Sequence, residues 1–327
     1  MDDSVSSLSW FNWLLWAVGA ILVLYKSSLF LWEVLEAFRI HFLSRFQDKK
    51  LTQTYGEWAV VTGGSDGIGK GYARELAKGG MKVILVAWNK DELNNVAREI
   101  STEFGVETSI VVVDFSQGQT IYRHIAKELE GKDIGILVNN VGTVGPATPT
   151  PFSEVTESEF WGIVNINVGS VPAMTKIVLP GMLKRGRGAI VNMGSIASWK
   201  SIPYLQTYSA SKAFIDFFTQ ALAEEVRGTG VIVQGVHPGM VDTNMAKGYV
   251  KLKYDGKGIP EILFPKVSTY CPSAFATLGK TEYTNGYWGH GLMMYILALI
   301  PTSILTKMQT EENKKLYKKS LKVQKQN

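Results

Sequence analysis

Three side chains in this sequence could together deliver a proton to a developing alkoxide: Ser195, Tyr208 and Lys212. Tyr208 and Lys212 stand four residues apart in Tyr-Ser-Ala-Ser-Lys, so one face of a helix would carry both. A free phenol has a pKa of about 10, poorly matched to neutral pH. A neighbouring ammonium favours the phenolate, so Lys212 is expected to depress the Tyr208 pKa. Ser195 closes a β-rich run, where its hydroxyl would polarise a substrate oxygen as an oxyanion donor does. This set suits a carbonyl that receives a hydride, because the alkoxide so formed must take up a proton.

These residues need a scaffold that brings them to one edge. From Trp58 onward, short β-rich runs alternate with amphipathic stretches of helical length. The runs are Trp58–Thr62, Val83–Ala87, Ser109–Val113, Ile134–Asn139, Ala189–Met193 and Val231–Val236. Near-continuous apolar strands separated by helices predict an α/β fold. Its doubly wound parallel sheet would be covered by helices on both faces, with ligands at the carboxyl ends of the strands. Ser195 falls at such an end.

The first strand runs into Thr62-Gly63-Gly64-Ser65-Asp66-Gly67-Ile68-Gly69, followed by a helix over about Ile68–Lys78. Glycines here let the backbone turn tightly and approach a pyrophosphate, which the helix N-terminus would receive. The spacing Thr-Gly-x-x-x-Gly-x-Gly resembles that of the short-chain dehydrogenase/reductase family, whose Rossmann-type fold matches the predicted one. The resemblance continues along the chain, over about Tyr55 to His290. It implies that Gly63, Ser65, Asp66, Gly67, Ile68 and Gly69 bind the cofactor and that Asp114 contacts its adenine. In isolation Asp114 reads as an N-cap or turn aspartate. Asn139-Asn140-Val141-Gly142 resembles the family's Asn-Asn-Ala-Gly motif, which assigns Asn140 and Gly142 to the cofactor. Asn167 matches the asparagine that holds a water in the proton relay, whereas Asn165 reads as structural. The resemblance makes Asn167, Ser195, Tyr208 and Lys212 the catalytic set, with Tyr208 and Lys212 also on the cofactor. His237-Pro238-Gly239-Met240-Val241-Asp242-Thr243 resembles the family's Pro-Gly turn, so Pro238, Gly239, Val241 and Thr243 join the cofactor site. His237 is not expected to be catalytic, because Tyr208 already fills the acid/base role.

Gly63 to Ala73, Ile134 to Gly142 and Thr284-Asn-Gly-Tyr287 are similar to one branch. It comprises 17β-hydroxysteroid dehydrogenases, very-long-chain 3-oxoacyl-CoA reductases and hydroxysteroid dehydrogenase-like proteins. Two departures stand out. NADPH-using members often carry Arg after the second strand, where this chain has Trp88 in Ala87-Trp88-Asn89-Lys90. No aspartate of the NAD type stands there either. NADP(H) is favoured from the branch, with NAD(H) left open and Lys70 or Lys90 as alternative phosphate partners. Met193-Gly194-Ser195 has Gly where relatives often carry a second Ser.

The N-terminus is apolar from Leu8 to Tyr25, with Trp10, Trp13 and Trp16 near its start. It is close to the roughly 18–20 residues of a membrane span, and Trp favours the interface. Asp2 and Asp3 precede it; Lys26, Arg39, Arg45, Lys49 and Lys50 follow, the bias of an uncleaved anchor with a cytosolic domain. Leu29 to Leu43 reads either as an interfacial amphipathic helix or as a soluble helix packed on the domain. After Pro238 regularity fades: Lys251–Pro260 reads as a surface loop, and Gly291–Leu305 as an apolar segment broken by Pro301. Met240, Met245, Ile262, Leu263 and Phe264 could line a substrate pocket or belong to the core.

The chain therefore divides into an anchor and amphipathic segment (1–50), a catalytic domain (51–290) and an apolar segment with a basic tail (291–327). Its single cysteine, Cys271, rules out an internal disulfide and a Cys-based metal site. Cys271 reads as a packed residue rather than a nucleophile. A net charge of +5, concentrated near the ends, reads as membrane-flanking charge and a solvated tail rather than a nucleic-acid footprint. The expected protein is a membrane-anchored oxidoreductase acting on a lipid-like carbonyl or hydroxyl, a 3-oxoacyl-CoA or a steroid. The resemblance adds a homodimer in the endoplasmic reticulum membrane, with the mitochondrion as alternative. The competing reading is a low-turnover nucleotide-binding or scaffold protein.

Overall fold

The computed structural model describes residues 3–41, 51–146, 148–254 and 258–324. It divides into two units, residues 1–47 and residues 48–327, each described by itself.

In the first unit, one helix, α1, runs from Asp3 to His41. Within it, Trp10–Ser28 is long and apolar enough to cross a membrane, and none of that window is buried. The stretch from Leu29 does not form a separate amphipathic helix; it continues α1, and no Pro or Gly stands between Tyr25 and His41 to break it. The expectations placed on Asp2, Leu43, Arg45, Lys49, Lys50 and the last three residues of the basic tail lie outside the described residues, as do the side chains of Leu29 and Phe30.

The second unit is built on a seven-stranded sheet in the order β3-β2-β1-β4-β5-β6-β7, every neighbour parallel. In chain order the elements are α2 (Leu51–Thr54), β1 (Trp58–Thr62), α3 (Gly67–Lys78), β2 (Lys82–Ala87), α4 (Lys90–Phe104), β3 (Thr108–Val112), α5 (Tyr122–Leu129) and β4 (Ile134–Asn139). Then follow α6 (Glu157–Ile163), α7 (Ser170–Arg185), β5 (Gly188–Met193), α8 (Gln206–Glu225), β6 (Val231–Val236), α9 (Asn244–Tyr254), α10 (Val267–Phe275), β7 (Tyr283–Thr284), α11 (Trp288–Ala298) and α12 (Thr302–Gln324). Six of the seven strands match the predicted runs to within a residue at either end. The seventh is two residues long and carries no run of its own.

Strand side chains alternate between the two faces. Ala59, Val61, Val83 and Leu85 face one core, with Leu76 of α3, Leu93 of α4 and Tyr270 of α10. Val60, Ile84, Leu137 and Ile190 face the other, with Ile125 of α5, Met174 and Met182 of α7 and Leu222 of α8. Both faces are covered, which is why the strands read as continuous apolar runs. The run Glu157–Arg185 would also pass as a membrane span by length and composition. Here Ile163, Val171, Met174 and Val178 are buried in the domain.

Past β6 the structure is more regular than expected. The stretch read as a loop from Lys251 begins with the last turn of α9, ahead of residues 255–257, which lie outside the described residues. The apolar segment around Pro301 forms α11 and α12, meeting at a 112° bend. The winding reverses between β1 and β4, and their C-terminal loops open the crevice where such sheets take ligands.

Candidate active site

The loop after β1 and the loop after β4 are braced against each other. The Thr62 hydroxyl accepts from the Asn140 and Val141 amides at 2.9 and 3.1 Å. Asn140 Nδ2 donates to the carbonyls of Thr62 and Gly63 at 3.0 and 3.1 Å. Between them the chain leaves no room for a side chain at Gly69, where a Cβ would lie 2.1 Å from the Gly63 oxygen and 2.5 Å from Asn140 Nδ2. Gly63 and Gly67 adopt φ of 64° and 55°, the left-handed region that glycine occupies without strain. A Cβ on Gly67 would meet the Thr243 methyl at 3.1 Å, so the Pro-Gly turn after β6 leans on the glycine loop. The arrangement is a cradle of main chain at the start of α3, suited to a pyrophosphate in geometry and in helix polarity.

Ser195, Tyr208 and Lys212 meet at the next strand ends. Ser195 lies two residues beyond β5 in extended backbone, and its side chain caps the following turn by accepting from the Ala197 amide at 3.1 Å. The Tyr208 phenol lies near enough to this hydroxyl for Ser195 to pull its pKa down. Lys212 sits one turn further along α8, buried, and its Nζ donates to the Met193 carbonyl at 2.9 Å. The ammonium lies 5.8 Å from the centre of the Tyr208 ring. Asn167 falls in a π-helical stretch, Val164–Gly169, between α6 and α7. Fully buried, it donates to the Thr143 carbonyl and the Ser211 hydroxyl, both at 2.9 Å, and accepts from the Thr143 amide at 2.8 Å. A Cβ on Gly142 would sit 3.6 Å from both Asn167 Oδ1 and Lys212 Nζ, so these three residues converge.

The electrostatics differ from the expectation in one respect. Burial raises the Tyr208 pKa above the ordinary phenol value, and Ser195 only partly opposes it. The predicted depression by Lys212 is overturned: the ammonium stands back on the carbonyl of Met193 and is itself costly to bury. Burial lowers the Lys212 pKa to about 8.

The remaining expected residues divide. Pro238 is buried and its carbonyl accepts from the Ile196 amide at 3.1 Å, tying the turn to the Ser195 loop. Val241 is buried, and Thr243 donates to its carbonyl at 3.3 Å. Ser65 lies in the glycine loop, Asp66 precedes α3 without a side-chain cap bond, and Ile68 sits in the first turn of that helix. Asp114 accepts from the Ser116 amide at 2.9 Å, as a turn aspartate would. Asn165 donates to the Ser116 carbonyl at 2.8 Å, a packing role. Lys70 is paired with Glu99 at 2.6 Å. Trp88 is 70% exposed, so it does not serve the core. Asn89 beside it caps α4 through the amides of Asp91 and Glu92. Met245 and Leu263 are exposed, and Met240, Ile262 and Phe264 half-buried; none belongs to the two cores. Cys271 is buried against Gly71, and burial pushes its thiol far up, as befits a packed residue.

A sequence profile of the short chain dehydrogenase family matches residues 57–252. The chain belongs to that family. This short-chain dehydrogenase is 42% identical to the very-long-chain 3-oxoacyl-CoA reductase of Anas platyrhynchos over 311 residues, 94% of this chain and 96% of the relative. It is 44% identical to the human protein of that name over 274 residues, covering 83% and 84% of the two chains. It is also 40% identical over 285 residues to the human "inactive hydroxysteroid dehydrogenase-like protein 1", covering 87% and 84%. Among solved structures, a 7beta-hydroxysteroid dehydrogenase superposes with a TM-score of 0.67 at 26% identity, over 79% of this chain and 98% of that one. A short-chain dehydrogenase from Sphingobium yanoikuyae, solved with NADPH, superposes with a TM-score of 0.61 at 26% identity, over 75% and 97%.

Sequence reasoning named Thr62 only as the start of the glycine motif, without the hydroxyl that braces two loops, and passed over His290, which bonds the Pro-Gly turn. It also gave His237 no partner. The structure places His237 Nε2 2.9 Å from Asp216 and its ring 3.9 Å from that of Tyr283, stacked. The imidazole explains Gly194, where a Cβ would lie 2.5 Å from the His237 ring. Only the unexpected glycine beside Ser195 hinted at it.

Proposed function

We propose that this chain is a membrane-anchored, NADPH-dependent reductase of a lipid-like carbonyl, with 3-oxoacyl-CoA esters as first substrate class and ketosteroids as second. The observation that carries it is the convergence of Ser195, Tyr208, Lys212 and Asn167 beside a glycine cradle. The nicotinamide cofactor, when bound, supplies the hydride. Gly63, Ser65, Asp66, Gly67, Ile68 and Gly69 would hold its pyrophosphate side, Asp114 its adenine, and Asn140, Gly142, Pro238, Gly239, Val241 and Thr243 the nicotinamide side.

Ser195 donates a hydrogen bond to the substrate oxygen, and Tyr208 gives its proton to that oxygen as the alkoxide develops. The raised phenol pKa keeps Tyr208 protonated at neutral pH, the form needed for reduction. Lys212 presents a cation beside the phenol and to the nicotinamide ribose. Asn167 anchors the relay that returns a proton to Tyr208. Half-exposed Met240 and Ile262, beyond β6, would receive the apolar part of the substrate.

Residues 1–50 are read as the anchor segment, 51–290 as the catalytic domain and 291–327 as an apolar segment with a basic tail. The favoured site is the endoplasmic reticulum membrane with the domain in the cytosol, the mitochondrion being the alternative. Exposed Trp161, Phe214 and Phe217 on α6 and α8 support a homodimer. A second reading, low turnover with a binding role, is favoured by the relative named inactive and by Trp88.

The test is nicotinamide oxidation by the membrane-bound protein, with NADPH and NADH offered separately against 3-oxoacyl-CoA esters and ketosteroids. Turnover that disappears in Tyr208→Phe supports the enzyme. A folded protein that binds nucleotide but turns over none of these substrates favours the second reading.

A further inference from the structure

We propose that His290 is a positioning residue for nucleotide binding: it holds the Pro238–Gly239–Met240 turn in its cofactor-facing shape without itself touching the cofactor. This rests on the reading of that turn as part of the nucleotide site.

His290 lies in the first turn of α11, fifty-one residues from Gly239, and is fully buried. Both ring nitrogens are engaged by the same turn. Nδ1 is 3.1 Å from the Gly239 amide, and Nε2 is 3.1 Å from the Met240 carbonyl. An amide can only donate and a carbonyl can only accept, so the pair defines the tautomer: Nδ1 accepts and Nε2–H donates. Only a neutral imidazole satisfies both. The ring also lies against the glycine, since a Cβ at Gly239 would sit 2.8 Å from Cδ2 and 3.0 Å from Nε2. Gly239 therefore serves the histidine behind the turn as well as the turn itself.

The histidine is in turn fastened to the sheet. The His237 amide donates to the Thr284 carbonyl at 2.8 Å, and Asn285 Nδ2 donates to the His237 carbonyl at 3.2 Å. Tyr270 of α10 donates to the Asn285 carbonyl at 3.1 Å, and its ring centre lies 5.7 Å from that of His290. Tyr287 meets His290 edge-on at 5.5 Å. The segment from β7 to the start of α11 is thus stitched to the end of β6, and His290 carries that rigidity across to the turn. The turn's far side reaches Gly67 through Thr243, so its position bears on the cradle.

The ring is faced by the tyrosines Tyr270 and Tyr287 and by the carbonyls of Met240, Leu263 and Asn285. Burial outweighs the pull of those carbonyls and holds His290 below the usual histidine range, so it is neutral at pH 7. Burial also keeps Tyr270 neutral. Protonation of Nδ1 would replace an acceptor with a donor facing the Gly239 N–H.

The experiment measures NADPH affinity of the full-length protein in mild detergent, by fluorescence of the bound nucleotide, at pH 7. It compares wild type, His290→Leu and His290→Asn. Asn places a non-titrating amide oxygen where Nδ1 accepts. The Leu variant should bind about tenfold more weakly, the loss expected for two hydrogen bonds removed from a buried turn. It should raise KM for the nucleotide more than it lowers kcat. The Asn variant should recover most of the affinity. Wild-type affinity in a folded Leu variant, or an Asn variant that binds no more tightly than the Leu variant, overturns the proposal. If the Leu variant does not fold, the Asn comparison decides. Wild type that binds neither NADPH nor NADH overturns the nucleotide-site reading and this inference together; failure of the variants alone overturns only the inference.

Discussion

The Asp216 carboxylate lies 2.9 Å from Nε2 of His237, joining the helix that carries Tyr208 to the strand end that carries the Pro-Gly turn. Tyr208, Lys212 and Asp216 follow one another at four-residue intervals, so they share one face of α8. The same carboxylate accepts from the Tyr283 hydroxyl at 3.4 Å, and Ser198 beside it donates to the Ser195 carbonyl at 2.8 Å. The Asp216–His237 contact is close but angularly poor, since neither atom completes a well-aligned hydrogen bond. Its worth lies in position.

Asp216→Leu should therefore destabilise the domain by about 1–3 kcal/mol, the cost of leaving buried polar partners of a partly buried carboxylate unsatisfied. Burial opposes the ionisation of Asp216, but the polar surroundings supplied by His237, Ser198 and Gln220 outweigh it and hold the carboxyl below its usual value. A depressed carboxyl stabilises the fold above the unfolded value of about 3.9, and that contribution is lost as pH falls through the folded value. Melting temperatures of wild type and Asp216→Asn, measured from pH 7 to pH 3, should converge as pH falls. A constant gap would show that the pair contributes no pH-dependent stability.

Gly69→Ala should weaken nucleotide binding and destabilise the domain by about 1–3 kcal/mol, the usual cost of overpacking. The clash is with main chain, 2.1 Å from the Gly63 oxygen, so no side-chain rotation relieves it. Nucleotide titration with thermal melting checks both. An unchanged affinity would mean that the glycine loop does not hold the cofactor.

The pH dependence of nucleotide affinity should show a limb near pH 8, where the Lys212 ammonium discharges. Affinity should fall as pH rises through that value, because the cation proposed to meet the ribose is lost. Lys212→Gln should bind weakly at every pH and show no such limb. The same shift makes the fold gain stability from about pH 8 toward the unfolded lysine value of about 10.4, because the unfolded chain binds more protons there. Calorimetry across that range gives the second check.

Trp88→Arg should raise the preference for NADPH over NADH by about tenfold, the worth of one charge-assisted hydrogen bond. Trp88 is exposed at the end of β2 and next to the Asn89 cap, so the exchange disturbs no core packing. The ratio of the two dissociation constants in each variant measures it. No change would place the 2′-phosphate elsewhere.

Six strands, the glycine loop and the Tyr208–Lys212 spacing were legible because each is encoded locally. A strand covered on both faces must be apolar along its length, a tight turn must be glycine, and a helix face repeats every three to four residues. The two-residue β7 was not legible, because its place beside β6 depends on partners and not on a pattern of its own. Nor was the reason for Gly194, which becomes evident only when His237, more than forty residues later, is seen packed against it. The direction of the Tyr208 shift had the same origin. Sequence spacing places an ammonium near the phenol, but how deeply both are buried is a property of the whole packing.

The sequence by itself determined the parallel α/β scaffold, the side chains available for proton transfer and the apolar N-terminal helix. The tertiary structure decided which of those side chains meet, how Asp216 and His290 fasten the loops around them, and which protonation states the interior favours. Contacts between residues distant in the chain, and the removal of charge from water, have no local signature; they exist only once the sheet has closed its two cores.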